Sequence, residues 1–478
     1  MLKKDIFFFT LGPIAASLLS AITIPILAWN FSVADMGRLS FLQMLISFSV
    51  LFFSFGLDEA YLREFHEVRH KSRLLRTVVL PGFLAVMAIS ALICAVGLAV
   101  FSSLLFEFED SSLGLVAVCG VITAFSLRFL TLILRIKEES IKYALVGLVP
   151  KFFQILFVIF CVYILEKISL TILLLSYVLP NIFALLCAIF LTKRDLTEAL
   201  KARIQFPELK RYMAYGAPLV FAGFGSWALI SLDKLFLRGM SSIDELGIYS
   251  VAASVAALVG VLTGIVNTIL APIIYKMSVD GEYTKINQMI LNERILASTL
   301  FIFIIGGLTN WIVPMLFPPA YQNIDSFILC CVASPLLYTL SEVSSIGINL
   351  ARKTSLVFLA VLCALVANSV GNYYLVPSLG ASGAAIATAV GFYCYFLVKV
   401  LSANHVMAKV PIVKLLGFPL ICILLMISEA YFNFDRSFIF RLLWALMGLV
   451  VAISFKTSLI EFKQLFSNYL RDRLAARG

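Results

Sequence analysis

Five ionisable side chains sit inside long apolar runs, and they are the residues of this sequence best placed to do chemistry: Arg128, Lys151, Asp233, Lys234 and Glu342. At the centre of a membrane span each costs about 2.5–3.5 kcal/mol, so each requires a partner or a water-filled cavity. At about 1.5 Å of rise per residue, Arg128, Lys151 and Glu342 fall at similar depth, about 12 Å from one end of their runs. Arg128, Thr131 and Arg135 share one helical face, and Lys151 shares another with Gln154. Two consecutive runs therefore have the means to set Arg128 beside Lys151. Bases outnumber acids, which suits a cavity for an anionic group: guanidinium matches phosphate oxygens, and ammonium adds a point charge. The alternative for both bases is snorkelling to the nearer interface. Glu342 and Asp233 are the ion-coupling candidates, for H⁺ or Na⁺. Their competing roles are neutralising a base: Arg128 for Glu342, Lys234 for Asp233.

The elements that must position these groups are transmembrane helices. Of 478 residues 62% are hydrophobic and only 13% charged, where a soluble domain carries about a quarter charged. Continuous apolar runs of roughly 20 residues recur, giving about 14 spans. They do not alternate as barrel strands would. Inserted prolines such as Pro13, Pro25, Pro180, Pro218 and Pro335 are tolerated in a bundle, where neighbours re-satisfy the freed backbone. With the N-terminus in the cytoplasm, most Lys and Arg fall in cytoplasmic connections. The opposite side holds only Arg38, Lys167, Arg238, Arg436 and Arg441, as the positive-inside rule demands. Both termini are then cytoplasmic. The +10 net charge reports orientation and contact with anionic lipid rather than nucleic-acid binding.

The nine cysteines fall in apolar runs, and none pairs with His66, His70 or His405 at metal-ligand spacing. No metal and no other cofactor is expected. A polar connector is written twice: "SVADMGRLS" at Ser32–Ser40 returns as "SIDELGIYS" at Ser242–Ser250. An even number of spans separates the copies, so both face the same side, as in a parallel repeat. This predicts an all-α polytopic membrane protein: an N-terminal lobe (1–192), a cytoplasmic linker (193–212) and a C-terminal lobe (213–404). The lobes are parallel six-helix bundles around a central cavity. Two further helices and an amphipathic cytoplasmic tail complete 405–478. Gly383, Ala387 and Gly391 form a small-residue stripe for close helix packing.

"DMGRLS" (Asp35–Ser40), "GLDEAYLREFHE" (Gly56–Glu67), "ISLDKLFL" (Ile230–Leu237) and "NSVGNYYLVPSLGASGAAIATAVG" (Asn368–Gly391) resemble segments of the polysaccharide (Wzx-type) flippases. These belong to the multidrug/oligosaccharidyl-lipid/polysaccharide (MOP) superfamily. Lys234 stands where that pattern has Arg beside the Asp. The resemblance implies a non-enzymatic, alternating-access flippase in the bacterial cytoplasmic (inner) membrane. Its cargo would be an oligosaccharide on undecaprenyl diphosphate, such as an O-antigen unit, carried to the outer leaflet. Gln154, Asn267 and Tyr338 would meet sugar hydroxyls. Partners would be this lipid-linked anionic oligosaccharide, membrane lipids, and polysaccharide polymerase and chain-length machinery. A MATE-like cation-coupled antiporter shares the fold but should bury carboxylates. A glycan polymerase or ligase should carry a large outer loop, and none is evident.

Overall fold

The computed structural model describes residues 3–279, 285–351, 353–406, 412–432 and 437–456, with side chains from Gly12 onward and gaps among those of 262–286. Asn267 and the tail beyond Lys456 lie outside the described side chains. The chain runs α1 (Lys3–Asn30), α2 (Val33–Ser54), α3 (Leu57–Glu64), α4 (Lys71–Val96), α5 (Leu98–Phe106), α6 (Ser111–Ile136), α7 (Ser140–Ile159) and α8 (Leu170–Lys201). There follow α9 (Phe206–Met240), α10 (Ile243–Val279), α11 (Lys285–Thr309), α12 (Ile324–Ser344), α13 (Ile346–Leu350), α14 (Thr354–Val406), α15 (Ile412–Phe432) and α16 (Ser437–Ser454). No strand occurs among the described residues.

Twelve described helices are long and apolar enough to cross a membrane, and α16 is a shorter apolar one. One of the twelve, α14, is 53 residues long and breaks at Gly380 (φ 53°, ψ −126°), a left-handed φ that glycine adopts without a Cβ clash. Its limbs fold back on each other. A Cβ added to Gly383 would lie 2.4 Å from Leu375 O, one on Gly371 2.9 Å from Ala387 Cβ, and one on Gly391 2.9 Å from Asn368 Cβ. That antiparallel pairing makes α14 two spans and gives the small-residue stripe its partner. Counting both limbs and α16 recovers the expected number of spans. Proline lies within α1, α4, α7, α8, α9, α12, α14 and α15 without ending them.

The chain separates into two compact units, Met1–Val261 and Leu262–Gly478. That boundary falls inside α10, whereas the sequence places one at 193–212, where α8 ends and α9 begins. In the first unit α1 packs on α7, α6 and α7 pack on α8, and α2 lies against α6 and α9. Its buried cluster runs through Leu57, Tyr61, Leu74, Val78, Phe125, Phe129 and Tyr212. In the second unit α12 packs on α14 and α15, and α11 on α12 and α16.

Both copies of the connector build the same first helical turn. Ser32 accepts from the Asp35 N–H at 3.1 Å, and Ser242 accepts from the Glu245 N–H at 3.2 Å. Each serine caps a helix start, with an acid near the positive end of the dipole. The two turns then pack on each other reciprocally. A Cβ on Gly37 would lie 2.4 Å from Ile243 O, and one on Gly247 would lie 2.1 Å from Val33 O. Val33 and Ile243 are themselves equivalent letters of the repeat, so the contact has local two-fold symmetry. The connector is written twice because its copies are each other's packing surface.

Candidate functional site

A cavity of about 190 Å³ opens in the first unit between α1, α2, α7 and α10. Its polar lining comes from Ser20 and Thr23, Ser40 and Gln43, Lys151 and Gln154, and Ser250 and Ser254. Ser40 and Ser250 are the closing letters of the two connector copies, one helical turn beyond the packed glycines. The repeat thus supplies both the contact and part of the lining.

The hydroxyls of Thr23, Ser250 and Ser254 donate to carbonyls one turn back, Leu19 O at 2.7 Å, Leu246 O at 2.6 Å and Ser250 O at 2.7 Å. Such back-bonding satisfies the hydroxyl proton within its own helix. Gln154 is buried, and the buried Ser40 Oγ has no hydrogen-bond partner among the described residues. Lys151, half-buried on α7 directly after Pro150, likewise forms no ion pair or hydrogen bond among the described residues. Among the described residues no carboxylate lines the cavity. The site is a polar chamber among apolar helices, and its one basic residue, Lys151, has no ion-pair partner among the described residues.

The structure brings Lys151 and Gln154 together as expected but directs Arg128 elsewhere. Arg128 Nη2 and Nε both donate to Asp58 Oδ2, at 2.7 and 3.1 Å. Asp58 is 7% exposed on the short helix α3, which forms from the "GLDEAYLREFHE" segment. In the sequence Asp58 lies in a polar segment between apolar runs, where nothing marks it as the partner of Arg128. Arg135 is exposed near the end of α6. Neither arginine is among the residues lining the cavity, so Arg128 does not stand beside Lys151 there.

Asp233 is buried and accepts from the Tyr249 hydroxyl at 2.6 Å. Lys234 is half-buried on the same helix and does not line the cavity. In the second unit, Glu342 Oε1 receives Lys399 Nζ at 2.6 Å and the Tyr395 hydroxyl at 3.1 Å. Tyr395 stacks on Tyr338 with ring centroids 6.0 Å apart. The base that Glu342 neutralises is therefore Lys399, not Arg128. Lys399 is 1% exposed. In the sequence it stands close to the polar end of its apolar run, "LVKVLSANHV", which conceals its burial. The requirement that Glu342 have a partner was the signal that could have found it. Among the described residues no cluster of three or more His, Cys, Asp or Glu could hold a metal.

Long apolar helices around a polar, cation-bearing chamber define a multi-pass membrane protein of the transporter class. The chain belongs to the polysaccharide biosynthesis protein family, whose model matches residues 2–278. An uncharacterized membrane protein of Haemophilus influenzae is 22% identical over 317 residues, 66% of this chain and 74% of that one. Among solved structures, the fold is similar to "Lipid II flippase MurJ, inward closed conformation". The TM-score is 0.70 at 16% identity, covering 96% of this chain and 100% of that one. It is also similar to an inward-facing multidrug resistance MATE family transporter of the MOP superfamily. That match has a TM-score of 0.57 at 14% identity, covering 81% and 94% of the two chains.

Proposed function

We propose that the protein is a flippase that moves a lipid-linked oligosaccharide, held through its diphosphate, from the cytoplasmic to the outer leaflet of a bacterial inner membrane. The observation that carries this reading is the uncompensated Lys151 in a chamber lined by hydroxyls and amides. A cation in a water-poor site attracts an anion and repels a second cation. A MATE-like antiport of cationic drugs would require a carboxylate in the lining, and the described lining holds none. Diphosphate oxygens would take the Lys151 ammonium and the amide N–H groups of Gln43 and Gln154. The apolar tail would stay in the bilayer.

At about 190 Å³ the chamber is smaller than the ~300–1,000 Å³ of ordinary ligand pockets. It is a constricted state that must widen to admit a sugar chain. Rocking of the lobes 1–192 and 213–404 would widen it, parting α2 from α10 at the glycine contact. Ion coupling through Glu342 or Asp233, and handover to a polymerase, belong to the same proposal.

Purified protein in sealed liposomes, supplied with a lipid-diphosphate-linked oligosaccharide in one leaflet, tests the reading. It is expected to expose the glycan to an external lectin faster than protein-free liposomes do. It should not accelerate efflux of a lipophilic cation such as ethidium. Drug efflux without glycan exposure would replace this reading with the antiporter.

A further inference from the structure

A second polar pocket, of about 320 Å³, lies in the first unit where α3, the start of α4 and the ends of α6 and α8 meet. It shares no lining residue with the Lys151 chamber. Its floor is Tyr61, 2% exposed and packed edge-on against Phe65 with centroids 5.6 Å apart. The Tyr61 hydroxyl faces the pocket and has no hydrogen-bond partner among the described residues. The ring is buried while the hydroxyl stays open to the pocket, which leaves it free to donate to an acceptor that enters there. Burial, and secondarily the nearby Asp195 charge, push the Tyr61 pKa up, so the phenol keeps its proton and enters as a donor.

The remaining lining points to the same kind of acceptor. Helix α4 starts here at Lys71, and its N-cap residue, His70, provides no side-chain cap. The first-turn N–H groups of a long helix attract anions, and Ser72 adds a hydroxyl to that turn. The Lys71 ammonium rests 4.3 Å above the Phe65 ring, with no carboxylate partner among the described residues. The two acids of the lining are already engaged: Asp195 pairs with Lys137, and Glu198 lies 3.7 Å from Arg194. Lys71 is thus the cation left to an incoming ligand. Helix α4 begins and α6 ends at this level, so the pocket lies at the rim of the spans, where lipid headgroups reside.

We propose that this pocket binds a phosphate group, through the Tyr61 hydroxyl, Lys71, Ser72 and the start of α4. The phosphate is borne by an anionic phospholipid headgroup or arrives as free phosphate. The proposal is independent of the flippase reading.

The test titrates phosphatidylglycerol into phosphatidylcholine nanodiscs holding the full chain, and separately titrates inorganic phosphate, following bound ligand by native mass spectrometry. Tyr61→Phe, which removes one oxygen and keeps the packed ring, and Lys71→Gln are each expected to weaken binding roughly tenfold, the scale of one charge-assisted contact. Lys210→Gln, an exposed charge outside the pocket, should leave it unchanged. A loss confined to phosphatidylglycerol identifies the headgroup, and a loss confined to inorganic phosphate identifies the free ion. Equal binding by wild type, Tyr61→Phe and Lys71→Gln for both probes overturns the proposal. So does a loss in Lys210→Gln as large as in Lys71→Gln, because binding would then follow surface charge alone.

Discussion

Arg128 and Lys151 look alike in the sequence and do different things. Arg128 is bound to Asp58, and its side chain keeps 42% exposure, so the pair is partly screened. Arg128→Ala should cost about 1–3 kcal/mol, chiefly by leaving the buried Asp58 unpaired. Arg128→Ala with Asp58→Ala should then be milder than the two single changes summed, as thermal unfolding in detergent would show. Additive losses would mean that the pair is uncoupled. Lys399 and Glu342 make a drier pair. Lys399→Ala strands Glu342 and should cost about 3–5 kcal/mol, much of it recovered when Glu342→Ala is added. Unchanged stability in Lys399→Ala would contradict that role. The intramembrane charges were legible as a set because hydropathy marks any ion in an apolar run. Their partners were not. Asp58 lies in a polar segment and Lys399 near the polar end of its run, and neither position betrays burial.

At the scale of elements, the connector repeat carried more information than its modest identity suggests. Its serine caps and its glycines could be read from spacing. That the two copies touch each other could not, because a repeat is equally compatible with copies far apart. The contact explains why both positions are glycine: a Cβ on Gly247 would lie 2.1 Å from Val33 O, so any side chain must push α2 from α10. Gly247→Leu is therefore expected to favour the state parted at the connector. In a cysteine-free background carrying Ser254→Cys, a membrane-impermeant thiol reagent added from the connector side should label this chamber residue several-fold faster when Gly247→Leu is present. An unchanged rate would show that the contact does not close the chamber. The hairpin of α14 was legible in the same way, since the small-residue stripe demands a close neighbour.

At the scale of the whole molecule, membrane class and family followed from composition, periodicity and quoted motifs, because the bilayer restricts a chain so severely. The lining of the chamber followed only in part. That Lys151 and Gln154 face the same way was legible because they lie three apart on one helix. Ser40, Gln43, Ser250 and Ser254 were passed over because hydroxyls and amides in apolar helices cost little and so stand out little.

The central claim is that Lys151 holds an anionic head during translocation, and charge substitution at that position tests it most directly. Lys151→Gln, reconstituted in liposomes to the wild-type level, is expected to lower the rate of lipid-linked oligosaccharide translocation by about 10–100-fold, the loss of one charge-assisted contact of about 1.5–3 kcal/mol. Lys151→Arg should retain much of the rate, since a cation remains in the chamber. Wild-type translocation by Lys151→Gln would contradict the account.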